Sequence, residues 1–255
     1  MKLNYLFLAG VSALAMAACT PPDSGEPTGP DAATPPPETT DTADTTTPEA
    51  AEPGTAAVAT YELEPTHAFL SFTVIHGGIS EYTVDFTDFT ATLDFNEEDP
   101  SASSLTATIN PLGLNVNYPS DFKAGHANLP YETWPETLSK DPRFLDAEDY
   151  PEIKFVSTSI EKTGDDTGTV TGDLTFLGVT KPVTLDVTYN GVANAPWYGE
   201  RDLIGFNANG SLSRSEFGQT SLEGIISDEV EIRFSGEFLQ EETPATEPET
   251  TETEN

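Results

Sequence analysis

Between residues 170 and 189, apolar and polar side chains alternate on both sides of a short Gly/Thr/Lys/Pro break at 178–182. Strand side chains point to opposite faces with period two, so this stretch predicts a β-hairpin. Its dry face is Val170, Leu174, Phe176, Val183, Leu185, Val187 and Tyr189; its wet face is Thr171, Asp173, Thr175, Thr184, Asp186 and Thr188. Gly178 can take a positive φ in the turn, and Pro182, which has no N–H, is expected at the first position of the second arm. The same alternation recurs at residues 70–76, 89–95, 105–109, 153–156, 203–212 and 230–238. From 118 to 149 it fails: the chain is dense in Pro, Trp, Tyr and His, and only residues 136–140 suit a short helix.

One apolar face per strand and about eight strands predict an all-β, antiparallel eight-stranded barrel with a short helix/loop excursion. Closure removes exposed edges and leaves an interior able to hold one ligand. A two-sheet sandwich buries one face just as well, and alternation does not separate the two. About 180 residues, 61–239, are enough for one domain with a substantial core.

The flanks have a different composition. Residues 1–18 carry an early Lys2 and an apolar run from Tyr5 to Ala18 ending in small residues, which reads as an export signal too short to span a membrane. Residues 19–60 and 240–255 are Pro, Thr and acid-rich with nothing to form a core, so a disordered tether and a disordered tail are expected. The 255 residues hold one cysteine, Cys19, which excludes an internal disulfide or a cysteine metal cluster. Met16-Ala17-Ala18-Cys19 resembles the lipobox of bacterial lipoproteins, which implies acylation of Cys19 and, with Thr20 following, placement in the outer membrane facing the periplasm.

The formal charge of −34 excludes nucleic acid as a partner and is read chiefly as a solubility device. No nucleophile elbow, His-Glu-x-x-His pair, phosphate loop or dinucleotide fingerprint is present, so a non-catalytic role without a cofactor is expected. His67 and His76 lie nine residues apart with no third ligand at metal spacing and read as hydrogen-bonded structural residues, so no metal is expected. His126 is expected exposed in the long loop, Arg143 and Lys181 as solvated charges, and the cluster Asp94, Glu97, Glu98 and Asp99 as an acidic turn.

The domain resembles the YceI-like family, lipocalin-like periplasmic proteins that bind polyisoprenoid or other long-chain lipids. The resemblance rests on Tyr61-Glu62-Leu63-Glu64-Pro65-Thr66-His67, on Phe72-Thr73-Val74-Ile75-His76 and on Tyr150-Pro151-Glu152-Ile153-Lys154-Phe155. Most specific are the run Thr171 to Val183 and Ser213-Arg214-Ser215-Glu216-Phe217-Gly218. Ala68 and Val84 depart from the family pattern, and residues 118–137 form a longer segment than in many members. The resemblance implies a lipid cavity, for which Phe72, Val74, Phe155, Leu174, Phe176, Leu185, Val187, Phe206 and Phe234 are the candidate lining. Arg214, whose guanidinium can fork onto a phosphate or quinone oxygen, and His76 are the candidate headgroup contacts. The expected function is sequestration or transport of an isoprenoid quinone, polyprenyl compound or fatty-acyl species, with barrel dimers sharing a tunnel as a further expectation. The alternative is a structural or stress-protective surface lipoprotein with a filled barrel.

Overall fold

In a computed structural model, residues 54–242 are described; the export segment, Cys19, most of the tether and most of the tail lie outside them. The strands are β1 (Ala59–His76), β2 (Ser80–Phe86), β3 (Phe89–Phe95), β4 (Ser104–Ile109), β5 (Leu114–Asn115), β6 (Ile153–Lys162), β7 (Thr167–Phe176), β8 (Val179–Ala193), β9 (Leu203–Ser213) and β10 (Glu229–Gln240). All pairings are antiparallel. Strands β1, β3, β4, β6, β7, β8, β9 and β10 form a ring that β10 closes onto β1. The eight-stranded barrel is thus present, and the sandwich is not. The remaining two strands stand beside the ring, β2 on the second half of β1 and β5 on β2.

The hairpin of β7 and β8 turns on Leu177 and Gly178, both at positive φ. That two-residue turn starts β8 at Val179, so Pro182 is not its first residue as expected but sits inside the strand opposite Asp173. The position tolerates proline because β8 pairs with β9 only from Leu185 onward. Hydroxyl pairs Thr171–Thr184 (2.8 Å) and Thr175–Thr180 (2.9 Å) cross the exposed face, while Val170, Leu174 and Val183 are buried.

β1 carries a wide irregularity. Leu63 faces Phe238 and Ala68 faces Gly236, so residues 64–67 oppose the single Glu237. The irregularity brings His67 Nδ1 within 2.6 Å of Glu64 Oε2 and 3.7 Å of Glu237 Oε2, on the side of β10 away from the cavity-lining Phe234 and Phe238. Burial pushes the Glu64 carboxyl up, but hydrogen bonds from Thr66 and His67 outweigh it and hold the group below its usual range. Glu237 is the third possible ligand that sequence spacing did not supply, so the structure brings together a Glu64, His67 and Glu237 cluster whose first two members are hydrogen-bonded to each other.

The two ends of the barrel differ. At the end where β1 starts and β10 finishes, Tyr61, Phe95, Tyr189, Phe206 and Phe238 stack with ring centroids 5.2–6.2 Å apart. Tyr61 and Ile204 are 0% exposed there. Both ends of the described chain leave from this side: Ala56 is buried with its N–H on Glu97, Ala57 N–H donates to Asp202, and Glu241 N–H donates to the Thr60 carbonyl at 2.9 Å. Ordered chain therefore begins before residue 61, because Ala56 and Ala59 add apolar surface to this packed end. The opposite end is hollow and covered by residues 116–150.

Candidate functional site

The hollow end holds a cavity of about 520 Å³ walled almost wholly by apolar side chains. Of the nine candidate lining residues, Phe72, Val74, Phe155, Leu174, Phe176, Leu185 and Phe234 face it. Val187 and Phe206 do not. They line a smaller cavity of about 160 Å³ toward the packed end. Alternation assigned both residues correctly to the inner face but carries no information on height along the barrel axis. Phe206 pairs opposite Tyr189 and Gly236, which places its ring in the aromatic stack.

Two glycines leave room for large rings on the cavity wall. A Cβ on Gly172 would lie 2.4 Å from Cζ of Phe155, and one on Gly236 would lie 2.6 Å from Cζ of Phe234. Each phenyl ring occupies the space that its glycine's missing side chain leaves beside the wall.

The cover is built locally by capped helices. In α1 (Phe122–Gly125), Asp121 Oδ1 accepts from the Lys123 and Ala124 N–H groups. In α2 (Trp134–Lys140), Thr133 Oγ1 accepts from Glu136 N–H, and Pro135 occupies the first turn where its missing N–H costs nothing. These caps hold Tyr118, His126, Trp134, Leu138 and Phe144 over the cavity as lining residues. Trp134 Nε1 donates to Tyr82 Oη at 2.6 Å, fastening the cover to β2. His126 is half-buried, not exposed as expected, and stacks on Phe122 at 4.6 Å and Trp134 at 5.7 Å. Its Nδ1 lies 3.2 Å from the Phe122 carbonyl, so Nδ1 carries the hydrogen there. None of these cover residues was assigned to the cavity from sequence. The available signal was the density of aromatic side chains in a stretch without strand periodicity, since such rings must find apolar surface somewhere.

Arg214 is 5% exposed, at the start of a 3₁₀ turn after β9, and lines the cavity. Nε donates to the Ser227 carbonyl (2.8 Å), Nη1 to the Gln219 and Ser221 carbonyls (2.9 and 2.8 Å) and to the Gln219 side chain, and Nη2 to the Ile226 carbonyl (3.3 Å). Gln219 Nε2 in turn donates to the Arg143 carbonyl at 2.7 Å. The guanidinium thus clamps the loop of residues 219–227 and ties it to the cover. This corrects the forked-headgroup reading: the Nε and Nη1 hydrogens are spent, and only Nη2 retains capacity for one acceptor oxygen. The second candidate, His76, is exposed at the rim, where its backbone bridges to Ile226 and Gly77 N–H donates to the Ile225 carbonyl.

The other cations near the cover are also committed. Lys123 Nζ donates to the Leu129 and Tyr131 carbonyls at 3.0 and 3.1 Å. Arg143 makes a two-point contact with Asp141 at 2.9 and 2.8 Å, which holds the Asp141 carboxyl below its usual range.

A closed antiparallel barrel with a covered apolar cavity defines the class as a lipocalin-like barrel. The chain belongs to the YceI-like family, whose domain model matches residues 61–238. It is 36% identical over 190 residues to Protein YceI of Salmonella arizonae, covering 74% of this chain and 91% of that one. A Campylobacter jejuni YceI crystal structure is similar with TM-score 0.53 and 28% identity, over 64% of this chain and 88% of that one. Burkholderia cenocepacia BcnA shares the fold, with TM-score 0.54, 23% identity, and coverage of 70% and 99%.

Proposed function

We propose that this protein binds a long-chain lipid, with the tail in the hollow end of the barrel and a small uncharged head beneath the aromatic cover. The observation that carries this reading is the apolar cavity of about 520 Å³ at the hollow end of the barrel. Natural interiors leave few voids larger than a water molecule, so a cavity of this size is a site for a ligand. Each buried methylene contributes about 0.8 kcal/mol, so a tail of some tens of carbons overcomes association costs of about 4–15 kcal/mol.

The head is read from what the cavity offers. Arg214 has one donor left, Lys123 and Arg143 are paired, and Tyr82 Oη accepts from Trp134 and keeps its own hydrogen to give. Such a site suits a single carbonyl or hydroxyl oxygen, as on an isoprenoid quinone or a prenyl or fatty alcohol, and offers no fork for a pyrophosphate. The role is non-catalytic sequestration or transport, and acylation at Cys19 would hold the barrel at the outer membrane. A filled-barrel surface lipoprotein would need the hollow end packed like the other end. Extraction of the purified protein with organic solvent, followed by mass spectrometry, tests the reading. A stoichiometric tail-bearing lipid is expected. No co-purifying lipid, together with no thermal stabilisation by added quinones, prenols or fatty alcohols, would refute it.

A further inference from the structure

The two cavities share a wall. Leu105, Leu185, Ala208, Phe234 and Phe238 line both, so only side chains, and no main chain, separate the hollow end from the smaller cavity of about 160 Å³. Phe234 and Phe238 are the large members of that wall. Their rings are 6.0 Å apart, and Phe238 continues the partition to Phe206 at 6.0 Å. Phe234 reaches this position because Gly236, two residues on and on the same inner face, has no side chain: a Cβ there would stand 2.6 Å from Cζ and 3.0 Å from Cε2 of the ring.

Resting on the lipid-binding reading, we infer that Phe234, laid over Gly236 and backed by Phe238, is the floor of the binding site and sets the tail length the protein accepts. A tail entering beneath the cover runs down the lumen until its end meets this partition. Shorter tails leave apolar wall uncovered, and each added carbon gains about fourfold in affinity (about 0.8 kcal/mol). Beyond the length that reaches Phe234, further carbons gain nothing or must coil against a close-packed wall.

Two substitutions move the floor in opposite directions. Phe234→Ala joins the two cavities and lengthens the lumen toward Val187 and Phe206. Gly236→Ala leaves the cavity walls chemically unchanged but displaces the Phe234 ring from its bed into the lumen, which shortens it. Phe234→Leu, which keeps an apolar side chain of lesser reach, is the conservative partner should the alanine variant fail to fold.

The test uses a homologous series of straight-chain primary alcohols, titrated calorimetrically into the full chain and its variants. For the unaltered protein, affinity is expected to climb about fourfold per carbon and then level off at a defined length. The break point should move to longer chains in Phe234→Ala, by less in Phe234→Leu, and to shorter chains in Gly236→Ala, with the rising slope unchanged in all. If the unaltered protein binds and levels off but the break point stays put in folded variants, the floor lies elsewhere and the inference is overturned. If the unaltered protein binds no member of the series and carries no extractable lipid, the lipid-binding reading fails and takes the floor with it.

Discussion

One barrel carries two kinds of interior. At the packed end five aromatic rings contact one another in a chain, and Tyr61 and Ile204 are fully buried. At the hollow end the rings of Phe155 and Phe234 occupy the space that glycines leave beside the wall, and the middle is empty. The strands are the same strands, and the inward residues of both ends are apolar. What differs is whether side chains point at one another or sit beside the wall, and that depends on the residue two positions along or across the ladder. The packed end supplies the stability that lets the other end go unfilled.

The largest expected effect tests that division. Phe95→Ala should cost about 3–5 kcal/mol, because Phe95 is buried and contacts Tyr61, Tyr189 and Phe206. Phe72→Ala, whose ring borders the cavity and packs on Phe86, should cost about 1–2 kcal/mol. Urea unfolding of the two variants measures both, and equal losses would break the comparison.

Arg214→Met comes next, at about 3 kcal/mol, since it leaves buried carbonyls of the 219–227 loop without donors. Faster amide exchange confined to that loop and the cover, with the packed end still protected, is the accompanying signature. Added volume should then separate the ends by sign. Ile204→Phe overpacks a fully buried site and should lose about 1–3 kcal/mol. Val74→Phe grows into the cavity, should leave stability unchanged or raised, and should abolish lipid binding.

The smallest effect is in Tyr61. Burial first, then the charges of Asp202 and Glu97, push its hydroxyl up to about 12 from 10.0. A raised acid favours its protonated form in the folded state, so its contribution is full below pH 10 and is lost as pH climbs through 12. Tyr61→Phe should cost about 1 kcal/mol at neutral pH through loss of the bond to the Ala57 carbonyl. It should also flatten the alkaline fall in melting temperature, leaving the part owed to Tyr189, whose hydroxyl burial likewise raises.

Much of the barrel was legible because period two is a strong local signal: every ring strand except the first half of β1 coincides with an alternating run. That first half is split from the second by residues 64–67, whose irregularity hid it. Val187 and Phe206 show the limit of alternation, which gives the face and not the level. Arg214 shows another. Its residue type pointed to an anion, but its partners are carbonyls in a loop brought to it by β10, which no local pattern encodes. The excursion at 118–149 and its short helix near 136–140 were legible, but not where they seat, since Trp134 finds its partner in Tyr82 on β2.

Closure of the ring by β1 and β10 brings residues 61–73 together with 231–240, the contact most remote in sequence. Forming it entails the largest loop-closure entropy in the fold, which makes it the natural late event in folding. Because Glu241 N–H already reaches the Thr60 carbonyl, a short linker joining residues 242 and 54 would turn this remote pairing into a local hairpin. With the chain reopened in the exposed turn between Gly78 and Ile79, a circular permutant would keep every ring pairing and should fold faster than the natural order.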